Sequence, residues 1–155
     1  SKSFALEDIL RAKPWLIKPN QEEISGYLGR EVLRPEDALE PARELRARGV
    51  ENVMVSLGGD GALLVCGEGC FEAAPPRIAP VSTIGAGDSA IAGFLAAAAA
   101  GRGPGEALRE AVAFGSAACL TEGTRPPRAE DIAALREKIA MRRLDGVDKS
   151  GARVI

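Results

Sequence analysis

A short apolar segment, residues 53–57, constrains the fold of this chain more than any other part of the sequence. The segment reads VMVSL, carries no charge and runs directly into a glycine cluster. A segment of this kind is typical of a strand that is buried on both faces of a sheet. Helical spacing follows at about residues 87–100, 105–121 and 129–142, so strands alternate with helices. This alternation predicts an α/β fold with a mostly parallel sheet.

Shorter elements lie on either side of this strand. Residues 15–17 read WLI and predict a buried strand. Asn20 is then placed to cap a helix whose inner face carries Ile24, Tyr27 and Leu28. Residues 62–66 and 70–73 predict a hairpin around a Gly-Glu-Gly turn.

Composition excludes several classes of function. The formal net charge of −2 provides no basic field that would favour nucleic acid or an anionic membrane as a partner. The chain has no histidine, which excludes Ser-His and Cys-His nucleophilic catalysis and leaves proton transfer to a carboxylate, lysine or tyrosine. Its three cysteines favour reduced thiols in a cytoplasm. The first residues, SKSF, resemble neither a signal peptide nor a natural initiator, and we expect the chain to begin within a domain.

The sharpest motif is STIGAGDS at residues 82–89, where small residues precede an acid and an apolar helix follows. Small residues let backbone N–H groups approach an anion, and a helix N-terminus adds partial positive charge. The segment therefore predicts a cradle for charge that develops on a transferring phosphoryl group. Asp88 is placed to accept a proton from an attacking hydroxyl. From spacing alone, a simple turn with Asp88 as an ordinary helix cap is an equally good interpretation.

A second glycine cluster, SLGGDG at residues 56–61, follows the apolar strand directly. Nucleotide-binding loops occupy this position in open α/β sheets. A tight turn that feeds the hairpin explains the same residues without any ligand. The cluster is not a Walker loop, because the chain contains no GKS or GKT, and it is not a dinucleotide motif, because a strand follows where a helix is required.

The third motif is KPNQEE at residues 18–23. The Asn20 amide and the Glu23 carboxylate share one face at a helix start, where they can hold a hydrated Mg²⁺. A capping arrangement, in which Glu23 reaches back to the cap residue, uses the same spacing. On spacing alone, capping is the better interpretation.

These three motifs, in their order along the chain, resemble those of the PfkB (ribokinase-like) family of carbohydrate kinases. Residues 82–95, STIGAGDSAIAGFL, are similar to the C-terminal motif of that family. KPNQEE is similar to its NxxE element, and SLGGDGAL to its ATP-binding strand and loop. The similarity extends from about Phe4 to Ile139 and is greatest to the hexose-phosphate branch, which includes 1-phosphofructokinases and tagatose-6-phosphate kinases.

The resemblance implies a three-layer ribokinase-like fold, of which this chain represents the C-terminal half. Residues 1–142 would be the nucleotide-binding and catalytic part, and residues 143–155 a polar tail. The implied reaction transfers the γ-phosphoryl group of ATP, with Mg²⁺, to a hydroxyl of a sugar phosphate. Asp88 would be the general base, and Asn20 and Glu23 would influence the metal. The amides of the anion hole would be those of Gly85, Ala86 and Gly87. The residues implied to bind the nucleotide are Ser56, Leu57, Gly58, Gly59, Asp60, Gly61, Gly87 and Asp88.

Members of that family are considerably longer, and nothing here resembles their N-terminal portion, which supplies the sugar site and the lid. The resemblance therefore leaves open whether this chain acts alone, as a homo-oligomer or with a missing half. A nucleotide-binding module without catalysis is the alternative function. The presence of Asp88 argues against that alternative, because binding alone would not require the acid. A purely structural α/β domain would have to explain three ordered motifs by coincidence.

Overall fold

The computed structural model describes residues 5–144. In that range the α-helices are α1 Leu6–Ala12, α2 Gln21–Leu28, α3 Leu39–Ala47, α4 Ala86–Ala99, α5 Pro104–Ala118 and α6 Ala129–Lys138. The strands are β1 Leu16–Ile17, β2 Asn52–Ser56, β3 Ala62–Cys66, β4 Gly69–Ala74 and β5 Ala140–Arg143. Across this range, every helix is too short or too polar to span a lipid bilayer.

The strands form one sheet in the order β1-β2-β3-β4-β5. β1 and β2 are parallel, since α2 and α3 lie between them in the chain and carry it back across the sheet. β2 and β3 are antiparallel, with Ser56 opposite Ala62, because their connection is too short for a crossover. The predicted α/β class is confirmed. In this part of the chain the sheet is mixed, in place of the mostly parallel sheet expected, and the predicted hairpin supplies the antiparallel strands.

The described residues divide into two compact units. One unit contains residues 5–58, 62–71 and 143–144, and its core gathers the apolar faces of α2 and α3 against β2 and β3. Complete burial of a side chain such as Leu45 stabilises the fold by about 1.5–3 kcal/mol. The main buried side chains of this core are Ile24, Ala42, Leu45, Val50, Val53, Val55, Leu63 and Val65.

The other unit contains Gly59–Gly61 and Glu72–Arg142, and α4, α5 and α6 form most of it. α4 and α5 approach closely because a glycine from each helix faces the other. A Cβ atom on Gly93 would lie 2.7 Å from the carbonyl oxygen of Glu110, and one on Gly115 would lie 3.3 Å from that of Ala86. Alanine-rich surfaces on both helices permit this spacing. The start of α4 is thereby held against α5.

The chain after α6 differs from the prediction. Helical spacing was expected to continue to residue 142, whereas α6 ends at Lys138 and β5 begins at Ala140. Arg142 forms an ion pair with Glu72 at 2.9 Å, and the Leu144 amide donates to the Cys70 carbonyl at 2.8 Å. A non-local strand partner therefore overrides the local helical pattern. Residues 145–155, most of the predicted polar tail, lie outside the described residues.

Candidate active site

The start of α4 carries the most distinctive geometry of the second unit. Gly85 is the N-cap residue, with φ 80° and ψ −3°, which is the conformation that a type II turn requires of its third residue. The Ala86 amide donates to the Thr83 carbonyl at 3.3 Å and closes that turn. A β-carbon at Gly85 would meet nothing within 4 Å, so the conformation rather than space demands glycine.

The first turn of α4 leaves two amides without a backbone acceptor among the described residues. The first helical bond of α4 runs from the Ser89 amide to the Gly85 carbonyl at 3.0 Å. Within residues 5–144 the amides of Gly87 and Asp88 have no recorded acceptor, as expected for the first turn of a helix. Of the three amides predicted for the anion hole, that of Ala86 already has a partner. The helix N-terminus supplies partial positive charge at this position.

Asp88 is the third residue of α4, and its side chain is exposed. The alternative that Asp88 is the helix cap is wrong, because Gly85 occupies the cap position and no side chain caps this helix. The carboxylate therefore lies in the same turn as the two amides without being used to cap the helix. This arrangement can bind an anion and accept a proton from a neighbouring group.

In the first unit, the structure brings together two of the three sequence motifs. Asn20 and Ser56 form a parallel bridge at the carboxyl ends of β1 and β2, and the Ser56 amide donates to the Pro19 carbonyl at 2.9 Å. Ligands of open α/β sheets bind outside the carboxyl ends of the strands. The end of the KPN segment and the start of the SLGGDG segment thus share one edge of the sheet. Asp88 belongs to the other unit.

The SLGGDG segment leaves β2 as an exposed turn. The Leu57 side chain is buried in the core, so only its main chain can face a ligand. Gly58–Asp60 form one turn of 3₁₀ helix, and all three residues are exposed. Gly61 needs glycine for the fold, since φ is 95° and a Cβ atom would lie 2.0 Å from the Ala73 carbonyl oxygen.

Gly59 differs from Gly61. Its φ lies outside the left-handed region, and a Cβ atom there would meet nothing within 4 Å. Neither backbone conformation nor packing among the described residues therefore requires glycine at this position. Glycine at this position leaves the main chain open to close approach by a ligand.

Asn20 and Glu23 form a capping box at the start of α2. The Glu23 amide donates to Asn20 Oδ1 at 2.8 Å, and the Asn20 amide donates to Glu23 Oε2 at 3.0 Å. The capping interpretation of this motif is confirmed. Among the described residues, no group of three or more Cys, Asp or Glu side chains is placed to hold a metal ion. Direct ligation of Mg²⁺ by Asn20 Oδ1 and Glu23 Oε2 would compete with both capping bonds, so the arrangement does not fit a direct metal site.

A cavity of about 420 Å³ adjoins this capping box. Its polar groups come from Asp8, Lys18, Glu23 and Tyr27. Burial raises the pKa of Tyr27, and the negative charge of Glu23 raises it further. Sequence spacing did not indicate Asp8 or Tyr27, because packing of α1 and α2 beside β1 brings them to the cavity. Lys18 and Glu23 both belong to the KPNQEE motif, which the sequence did indicate.

Comparison with known proteins shows what this chain is similar to. Residues 2–131 match the family model described as pfkB family carbohydrate kinase. The 1-phosphofructokinase of Haloferax volcanii is 43% identical over 123 residues, which are 79% of this chain and 40% of that protein. The 1-phosphofructokinase of Rhodobacter capsulatus is 40% identical over 143 residues, 92% of this chain and 45% of that protein.

A solved structure gives the same likeness in three dimensions. The crystal structure of phosphofructokinase-2 from Escherichia coli in complex with substrates and products superimposes with a TM-score of 0.77 at 36% identity. The match covers 86% of this chain and 45% of that one. The chain therefore spans less than half the length of these relatives.

Proposed function

This chain belongs to the pfkB family of carbohydrate kinases, and on that premise we propose that it forms the nucleotide-binding and phosphoryl-transfer part of an ATP-dependent sugar-phosphate kinase. The observation that carries the proposal is the first turn of α4. There, the Gly87 and Asp88 amides follow the Gly85 turn, and the Asp88 carboxylate belongs to the same helical turn. Anion binding and proton acceptance, the two requirements of the reaction, thus come from one helical turn.

In the proposed step, a hydroxyl of the sugar phosphate attacks the γ-phosphorus of ATP. The Asp88 carboxylate accepts the hydroxyl proton as the new O–P bond forms, and ADP leaves with the electrons of the broken bond. The amides at the start of α4 hydrogen-bond to the phosphoryl oxygens, on which negative charge is spread. Exposure of Asp88 is compatible with this role, because a base must reach its substrate.

We assign the nucleotide to the SLGGDG segment. Its exposed turn follows β2 at the carboxyl edge of the parallel pair, and Gly59 leaves the main chain open to approach. Bound Mg²⁺ would supply charge neutralisation for the phosphates in this family of reactions. Because of the capping box, we assign Asn20 and Glu23 an indirect part, which is to hold the start of α2 at this edge. The sugar-phosphate substrate, a homo-oligomeric state and a cytoplasmic location stay predictions.

The role of Asp88 is tested in a chimera in which this chain replaces the matching residues of the Rhodobacter capsulatus 1-phosphofructokinase. Asp88→Asn preserves size but cannot accept the proton, so we expect kcat to fall by roughly 10²–10⁴-fold. The Kd for ATP should change by no more than about twofold, since the amides remain. Turnover is measured by coupled ADP release, and binding by calorimetry.

The matched control is Asp131→Asn. Asp131 is also the third residue of its helix, α6, and it forms an ion pair with Arg128 at 3.3 Å. The Asp131→Asn variant should leave kcat unchanged. Near-normal turnover of Asp88→Asn would remove Asp88 from the role of base. Saturable ATP binding by the unaltered chimera without any turnover would support the alternative, a nucleotide-binding module without catalysis.

A further inference from the structure

The chain segment that leads into α4 is held by the end of α5. Both the Val81 and Ser82 amides donate to the Cys119 carbonyl, at 2.7 and 3.3 Å. Cys119 follows the last residue of α5 and belongs to the group of carbonyls that a helix C-terminus leaves without intrahelical partners. These two bonds fix where the segment starts.

At the other end of the segment, packing against α5 adds to the hydrogen bond that closes the Gly85 turn. Gly115 of α5 faces the first turn of α4, where a Cβ atom would lie 3.3 Å from the Ala86 carbonyl oxygen and 3.4 Å from the Ala90 Cβ atom. The distance of 3.3 Å is tighter than most real Cβ contacts, so the Ala86 oxygen would have to move by a few tenths of an ångström, whereas 3.4 Å is close to ordinary contact. Any side chain at position 115 would therefore push on the Ala86 carbonyl or separate the two helices.

The Ala86 carbonyl and the Gly87 N–H belong to the same peptide group. Because that group is planar and rigid, a movement of the oxygen also turns the N–H on its opposite side. The Gly87 N–H is one of the two amides in this turn without a recorded acceptor among the described residues. Its direction is thus coupled to the space that Gly115 leaves.

We propose that Gly115 is a positioning residue for the anion-binding amides of α4, because its missing side chain admits the Ala86 carbonyl and so sets the direction of the Gly87 N–H. The functional part of this inference rests on the proposed function, since it takes the bound anion to be the phosphate chain of ATP. Gly115 itself is not proposed to touch a substrate. Geometry at this scale matters for phosphate binding, because misplacement of a donor weakens every bond that it makes.

The test uses the full chain with three variants. Gly115→Ala adds the offending methyl group. Gly26→Ala is the matched control, because it makes the same change inside a helix, at a site where the new Cβ atom meets nothing within 4 Å. Gly115→Ala combined with Ala90→Gly is the rescue variant, because it removes the Cβ atom 3.4 Å from the new methyl group and lets that group move away from the Ala86 oxygen.

Two measurements are made on each variant. The amide nitrogen and proton chemical shifts of Gly87 and Asp88 report the peptide geometry without any ligand. Calorimetric titration with ATP and with adenosine separates phosphate binding from binding of the base and ribose. If Gly115 had only a structural role, Gly115→Ala would lower thermal stability and weaken the binding of ATP and of adenosine equally.

For Gly115→Ala we expect displaced Gly87 and Asp88 resonances, a Kd for ATP that rises roughly fivefold and an unchanged Kd for adenosine. Gly26→Ala should change none of these, and the rescue variant should recover part of the ATP affinity. Unmoved resonances, or equal losses for ATP and adenosine, would overturn the proposal. If the unaltered chain binds neither ligand, the proposed function fails, while the resonances still decide whether Gly115 positions this peptide.

Discussion

One residue, Lys13, adopts a backbone conformation that its side chain disfavours. Lys13 caps the end of α1 with φ 48° and ψ 59°, and it is the one non-glycine residue with positive φ among residues 5–144. Gly29 occupies the corresponding left-handed position after α2, with φ 62°. The left-handed region disfavours residues with a Cβ atom, and glycine is the usual solution at the end of a helix.

Lys13→Gly should therefore stabilise the chain. The free energy gained by relieving the left-handed strain exceeds the entropic cost of a more flexible unfolded chain. We therefore expect a gain of about 0.5–1 kcal/mol in the free energy of unfolding. Urea denaturation followed by circular dichroism measures it. Gly29→Ala, the reverse change at the matching position, should cost about 1 kcal/mol. A loss of stability in Lys13→Gly would contradict this expectation. It would show that the lysine side chain stabilises the fold by more than its left-handed backbone conformation destabilises it.

Residue types predicted part of the candidate site. The residue types of Asn20 and Glu23 were compatible with capping or with a metal. The structure shows the capping box, in which each side chain bonds the backbone amide of the other residue. Asp88 was compatible with a cap or a base, and Gly85 takes the cap position. The contacts of Gly115 and Cys119 with this segment could not be predicted. Gly115 lies in α5 and Cys119 directly after it, and both reach the start of α4 only through the tertiary fold.

At the scale of elements, α5 is joined to its surroundings by a buried carboxylate. Glu110 is only 4% exposed and accepts hydrogen bonds from Arg102, at 3.2 Å, and from Arg136 of α6, at 2.9 Å. The bond to Glu110 raises the pKa of Arg136. Two cations compensate one buried anion, so removal of its charge leaves both arginines without their partner.

Glu110→Gln should cost about 1–3 kcal/mol in the free energy of unfolding, because the amide keeps the volume but cannot match two guanidinium groups. Glu106→Gln is the control: Glu106 lies one turn earlier on α5, pairs with Arg109 at 3.0 Å and is 43% exposed. It should change stability by no more than about 0.5 kcal/mol. The measurement is the urea midpoint of each variant. Equal losses for the two variants would contradict a special role of the buried carboxylate.

Elements were predictable where local pattern and tertiary context agree. The buried strand, the capped helix with Ile24, Tyr27 and Leu28, and the hairpin all occur, because period and turn chemistry point to the same structure. The predicted end of α6 was wrong by four residues, because Arg142 and Leu144 bond to residues of β4 and the local sequence pattern does not indicate those partners. Likewise, the bridge between Asn20 and Ser56 depends on strands that are 36 residues apart.

For the whole molecule, the central question is what a chain that spans less than half of its relatives can do. Each compact unit has its own buried residues. The three motifs are all present within residues 5–144 and lie at helix starts or strand ends. This content supports the proposal that the chain folds and binds a nucleotide.

Calorimetric titration of the chain with ATP and Mg²⁺, paired with thermal unfolding in the same buffer, tests this claim most directly. We expect saturable binding with one site per chain and a melting temperature that rises with ATP. The free energy of unfolding should rise by about 2.7 kcal/mol when the free ATP concentration is 100 times the Kd. A folded chain with no binding heat and an unchanged melting temperature would contradict the claim that these residues form a nucleotide-binding unit.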